Sequence, residues 1–180
     1  MKYKKLAIAG IAVGAGIATY LLKNKTNKNI AFQAVNNFDV DKYLGLWYEI
    51  ARMNFYWEKD KINTTARYLK NEDGTIQVIN RGYDTNKKEW KKSKGNAIQV
   101  EENTGKLKVA FFGPFYSPYN IIDIDDHYQY ALVAGKNTDY LWILSRERSI
   151  PDGIKHRFLE KAKLLGYEID ELVWPSQELI

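Results

Sequence analysis

The chain has 180 residues, no cysteine, only 4 prolines and an aromatic share of 14%, with 13 Tyr and 5 Trp. That length suits one domain with a sizeable core, the aromatic bias favours strands, and the lack of cysteine excludes disulfides, thiolate nucleophiles and cysteine-based zinc sites. The net charge of +5 belongs to one end: residues 1–30 hold six lysines and no acid, which leaves 21 basic against 22 acidic residues elsewhere, so the body lacks the footprint of a nucleic-acid binder.

Residues 1–5 are basic, and residues 6–22 form an apolar run interrupted only by Thr19 and Tyr20. The run is just short of the roughly 20 residues that span a bilayer. It reads either as the core of a secretory signal, with small-residue cleavage near Ala18, or as a retained membrane anchor with Gly10 and Gly14 on one face. Lysines flank it on both sides, so charge leaves its orientation open. The polar tract 23–29 then acts as a linker, dividing the chain into a signal or anchor segment, 1–30, and a folded domain, 31–180.

From Tyr43 onward the pattern alternates with a period of two. A first strand is expected over residues 43–53, and residues 54–63 form a long loop. Strands at 64–70 and 75–83 are joined by a turn whose Asp73-Gly74 is a strong hairpin signal. Further strands follow at 90–100, 106–112, 119–124, 128–134 and 139–146. Eight strands, each joined to the next by a short connection, predict an up-and-down antiparallel β-barrel. After Pro151 the period changes: Ile154, Phe158, Ala162 and Leu165 mark an amphipathic helix, Gly166 ends it, and the helix should lie outside the barrel. Residues 172–174 can add a short strand beside it.

Little in the sequence points to catalysis. His127 and His156 fall in a turn and on the helix, no pair of residues has metal-ligand spacing, and phosphate-binding glycine loops and nucleophile elbows are missing. Glu49 has no partner carboxylate at a matching spacing. The reading is a binding protein, not an enzyme, without cofactor or metal.

Four segments, in order, carry a resemblance: Gly45-x-Trp47 extended through Arg52; Asn80-Arg81-Gly82-Tyr83; Phe111-Phe112-Gly113-Pro114-Phe115-Tyr116; and residues 140–146, ending at Arg146. Over roughly residues 36–175 the chain resembles a lipocalin, and most closely the bacterial outer-membrane lipoprotein type, which is similar to apolipoprotein D. Thr138-Asp139-Tyr140 imitates the family's second motif but precedes the last strand, whereas that motif belongs in the turn two strands earlier, here residues 125–128. Bacterial members carry a lipid-modified cysteine; these 180 residues contain none, so the 6–22 segment is expected to attach the protein to the cell envelope, with the barrel outside the cytoplasm.

An eight-stranded barrel can enclose one small ligand, and the resemblance implies a fatty acid or lysophospholipid. Alternation gives an inward list of Met53, Ala66, Tyr68, Ile76, Val78, Val109, Phe111, Tyr119, Ile121, Tyr130, Leu132 and Trp142, subject to inversion wherever a strand slips by one residue. Counting strands puts Gly45, Trp47 and Arg146 together at the closed end, with the guanidinium over the indole, as the resemblance also implies. Phe115 and Tyr116 then belong to an apolar lip at the open end, facing a membrane or a second subunit in a homodimer. Two other readings stand beside the lipid carrier: a carrier of a rigid ligand such as a bilin or retinoid, and a membrane structural protein whose barrel is filled by side chains.

Overall fold

The computed structural model describes residues 32–54 and 60–178; the 6–22 segment, and with it the choice between signal and anchor, lies outside them. Eight strands form the ring: β1 (Gly45–Met53), β2 (Lys61–Lys70), β3 (Ile76–Asp84), β4 (Glu89–Gln99), β5 (Lys106–Ala110), β6 (Ser117–Ile124), β7 (Tyr130–Ala134) and β8 (Leu141–Ser145). Each pairs antiparallel with its chain neighbour, and β1 closes the barrel by pairing with both β2 and β8. Strand β2 starts three residues earlier than the alternation suggested, because a bulge between Ile62 and Thr65 breaks the periodicity there without ending the ladder.

The N-terminal segment plugs one end. Asn36 bridges to Thr104, and the N–H of Phe38 donates to the Asn103 carbonyl. A four-residue helix, α1 (Val40–Tyr43), follows, its first N–H groups capped by the Asp39 carboxylate. Sequence patterning missed it because one helical turn has no period to detect. Trp47, fully buried, points into the floor and donates its Nε1–H to the Tyr43 carbonyl at 2.8 Å.

Arg146 locks this arrangement. Its guanidinium lies 3.8 Å from the Trp47 ring centroid and donates to the carbonyls of Lys42, Leu44 and Leu46 at 2.9, 2.8 and 2.7 Å. Its Nε–H reaches the Tyr128 carbonyl in the β6–β7 turn. One cation thereby ties the orphan carbonyls at the end of α1 to the start of β1 and to the neighbouring β6–β7 turn. Gly45 is required beside it: its φ is +99°, and a Cβ there would sit 3.3 Å from Arg146 Nη1. Above the indole, the Tyr119 hydroxyl hydrogen-bonds those of Tyr43 and Tyr68 at 2.8 and 2.6 Å. Burial pushes the phenols of Tyr43 and Tyr119 well above their ordinary range.

The seam between β1 and β2 is sealed by the C-terminal segment. Their direct pairing covers only Gly45–Tyr48 against Thr65–Tyr68. Further up, β9 (Leu172–Val173) pairs with Arg52 and Met53, and buried Gln177 donates to the carbonyls of Glu49 and Thr64 at 2.8 and 3.0 Å. Between β8 and β9 in the chain comes α2 (Asp152–Leu164), tethered outside β6 by Lys161 on the Ile122 carbonyl and by Lys161 and Arg157 on Asp123. Gly166, at φ +85°, ends that helix as expected.

Two predictions follow from the floor. Trp47→Ala removes the largest floor side chain and should cost about 3–5 kcal/mol of unfolding free energy. Arg146→Ala leaves several inward carbonyls without donors and should cost at least about 2 kcal/mol; denaturant melts of either variant that match the wild type would contradict the assignment. The tyrosine cluster sets a pH dependence. The unfolded phenols ionise near pH ~10 while burial keeps the native ones protonated, so their contribution is complete below that pH and is lost as pH rises past it. Urea midpoints should therefore fall more steeply above pH ~10 in the wild type than in a Tyr43→Phe/Tyr119→Phe variant.

Candidate functional site

Above the floor the barrel encloses a cavity of about 510 Å³, within the range of small-molecule sites. Its level can be read from strand direction. Strands β1, β3, β5 and β7 rise from the closed end, so the connections at residues 85–88, 111–116 and 135–140 surround the mouth.

The two walls differ in chemistry. On β1 to β4, Glu49, Thr64, Asn80 and Ser93 line the cavity. Asn80 lies opposite Ala66 on one side and Ser93 on the other, so the polar groups form a stripe across adjacent strands. Lys61 stands above them and Lys136 across the mouth. A smaller notch of about 90 Å³ opens beside the stripe, lined by Lys61, Arg81, Lys91 and Lys92 among others. The opposite wall, on and just beyond β5, β6 and β8, is mainly apolar: Val109, Phe111, Pro118, Tyr119, Trp142 and Leu144, with Ser117 the polar exception. Phe111 can lie flat because Gly95 faces it; a Cβ on Gly95 would meet the Phe111 ring at 2.8 Å. The only acid in the stripe, Glu49, is engaged by Arg52 at 2.7 Å in an ion pair buried from solvent.

Of the twelve residues expected to face inward, the cavity wall contains Ala66, Tyr68, Val78, Val109, Phe111, Tyr119 and Trp142. Ile76 and Ile121 also point inward but are packed in the floor with Trp47 and Leu107, below the open space. The other three face outward. On β7 the alternation was placed one residue off: Ala131 and Val133 lie opposite the cavity residues Leu144 and Trp142, so Tyr130 and Leu132 project outward. Met53 is inverted by a bulge at Ile50. Glu49 still opposes Leu144, but beyond the extra residue Arg52 takes the inward position opposite Trp142 and Met53 turns out.

The stripe was missed for a different reason. Thr64 and Asn80 lie two residues from Ala66 and Val78, on the face that alternation turns inward, while for residues 90–100 the alternation assigned no inward face, so Ser93 had no signal. At the lip, Phe115 is 81% exposed and borders the cavity, while Tyr116 stays half exposed beneath Lys108. Thr138-Asp139-Tyr140 lies at the mouth, at the opposite end of the barrel from the β6–β7 turn, where Asp125 accepts from the N–H groups of His127, Gln129 and Tyr130. No cluster of three or more metal-ligating side chains occurs among the described residues.

Comparison with known proteins agrees with this geometry. Outer membrane lipoprotein Blc of Citrobacter freundii is 46% identical over 144 residues, spanning 79% of this chain and 81% of that protein. The protein of the same name from Vibrio cholerae serotype O1 is 43% identical over 80% of this chain and 85% of its own. Among solved structures, the cockroach allergen Per a 4 superposes with a TM-score of 0.66 at 24% identity, covering 85% of this chain and 96% of its own, which bears on the fold alone. The family described as the lipocalin-like domain matches residues 38–177, from the floor plug to the C-terminal seam, and the chain is a member of the lipocalin family.

Proposed function

We propose that the protein binds a single-chain amphipathic lipid, a fatty acid or lysophospholipid, and stores or carries it at the cell envelope. The observation that carries this reading is the two-sided cavity: an apolar wall reaching down to the tyrosine floor, and a polar stripe under a lysine-bearing rim. An acyl chain fits the first and an anionic head group the second. Enclosing about ten methylenes is worth roughly 8 kcal/mol gross. Association costs of at least about 4 kcal/mol leave a modest net affinity, which suits a carrier that must release its cargo, and head-group contacts at the rim add selectivity.

Binding rather than catalysis is also favoured by the chemistry of the cavity, whose one carboxylate is held in an ion pair with Arg52. The relatives named as outer membrane lipoproteins support an envelope location. This chain has no cysteine to modify, and the apolar residues 6–22 supply the attachment in its place.

Native mass spectrometry of protein purified from its own cells tests the reading. A co-purifying fatty acid or lysophospholipid is expected; an absorbing chromophore would indicate a rigid ligand instead, and a barrel that stays empty and binds no fluorescent fatty acid would indicate a structural protein. Two variants probe the walls. Val109→Trp fills the cavity and should weaken fluorescent fatty acid binding at least about tenfold while the fold persists, since it projects into empty space. A Thr64→Val/Asn80→Leu variant removes the polar stripe and should reduce the preference for an anionic over an uncharged single-chain lipid, by about three- to tenfold in competition titrations.

A further inference from the structure

Among the described residues, the mouth of the barrel carries most of the large exposed aromatics. Four of the large exposed aromatics sit there: Trp90 at 41%, Phe112 at 74%, Phe115 at 81% and Tyr116 at 38% exposure. A fifth, Trp174, lies on the side of the barrel beneath Lys155, and the exposed aliphatics Leu69, Val100 and Leu164 are scattered singly away from the mouth. The aromatics at the mouth are interleaved with lysines. Lys87 and Lys88 lie at the exposed tip of the β3–β4 hairpin, Lys92 stands two residues past Trp90, Lys108 covers the Tyr116 ring, and Lys136 lies in the β7–β8 connection.

The closed end has the opposite charge. Its three turns carry Glu72 and Asp73, Glu101 and Glu102, and Asp125 and Asp126, and the cations beside them are fewer: Lys42, Lys70 and Lys106 pair with Asp39, Asp41 and Glu101, and Arg146 is turned onto backbone carbonyls. The acids at the mouth are fewer than the lysines: Glu89 pairs with Lys91 at 2.6 Å, while Asp60, Asp84 and Asp139 accept hydrogen bonds from the hairpin turn and from Asn137. The barrel is thus charged oppositely at its two ends, with its exposed aromatics at the positive one.

From this segregation we propose that the mouth docks on an anionic phospholipid bilayer, with Phe112 and Phe115 entering the interfacial layer and the lysines contacting the head groups. Aromatic and basic side chains together are the residue types that seat a protein on such a surface, and the acidic closed end turns the barrel so that the mouth faces it. Docking in this pose presses the cavity entrance against the membrane, so that a single-chain lipid can pass between bilayer and barrel without crossing water. The contact is independent of residues 6–22 and does not require that the cavity hold any particular cargo.

The absence of cysteine makes the test direct. Two full-length single-cysteine proteins, Pro114→Cys at the lip and Glu72→Cys at the closed end, are labelled with a polarity-sensitive fluorophore and mixed with vesicles of phosphatidylcholine alone or with about 30% phosphatidylglycerol. Any binding through residues 6–22 is common to both. The lip label should shift to shorter wavelength and be quenched by lipid-borne quencher on the anionic vesicles, the closed-end label should remain in water, and Lys87→Glu/Lys88→Glu/Lys136→Glu should raise the lipid concentration needed by at least about tenfold. Three results would overturn the proposal: equal responses of the two labels, a lip label that stays water-exposed, or one already shielded without vesicles, as a second copy of the chain would shield it.

Discussion

The arrangement of the molecule depends on one cation with many partners. Arg146 comes from the last strand of the ring, stacks on an indole from the first, and satisfies carbonyls that the short helix and its exit would otherwise leave without donors. A barrel has no edges to terminate, but it does have two ends, and water enters at either unless something fills it. Closing one end with a stacked, hydrogen-bonded guanidinium gives the interior a floor. The tyrosine hydroxyls above the floor satisfy one another and leave the lower cavity apolar in effect, although it is built partly from polar side chains.

With one end closed, the cavity has a single mouth, and the chemistry of the walls acquires a direction. The polar stripe on β1 to β4 comes from strands that also carry the lysine-rich hairpin, while the apolar wall on β5 to β8 leads up to the phenylalanines of the lip. The side view is equally ordered: the seam that β1 and β2 leave open is filled by the C-terminal segment, with Gln177 hydrogen-bonding the backbone of both strands. Access from the side is blocked there, which leaves the mouth as the route for a ligand.

The barrel, the outer helix and the pairing of Trp47 with Arg146 were legible because each rests on a repeating pattern or a motif of fixed spacing. The errors have separate physical sources. Alternation assigns faces correctly only while the ladder stays in register, and single extra residues at Ile50 and near Asn63 shift it without any local signal of composition. Met53 was lost to the first of these. On β7, Tyr130 and Leu132 are as apolar as Ala131 and Val133, so a strand buried on both faces gives periodicity nothing to distinguish. The polar stripe had no signal of its own, because alternation identifies a face but not which of its residues border a cavity. Thr64 and Asn80 line a cavity, which, unlike a packed core, has room for polar side chains.

The central claim is that ligand enters this interior and contacts these walls. Methyl-resolved NMR during titration with an anionic single-chain lipid tests it most directly, because inward and outward methyl groups alternate along the same strands. The account predicts that resonances of Val78, Val109 and Leu144 shift with saturation while those of Leu132 and Met53, on the outer face, stay in place. Shifts confined to the outer face, or no saturable shift at the inner positions, would contradict it.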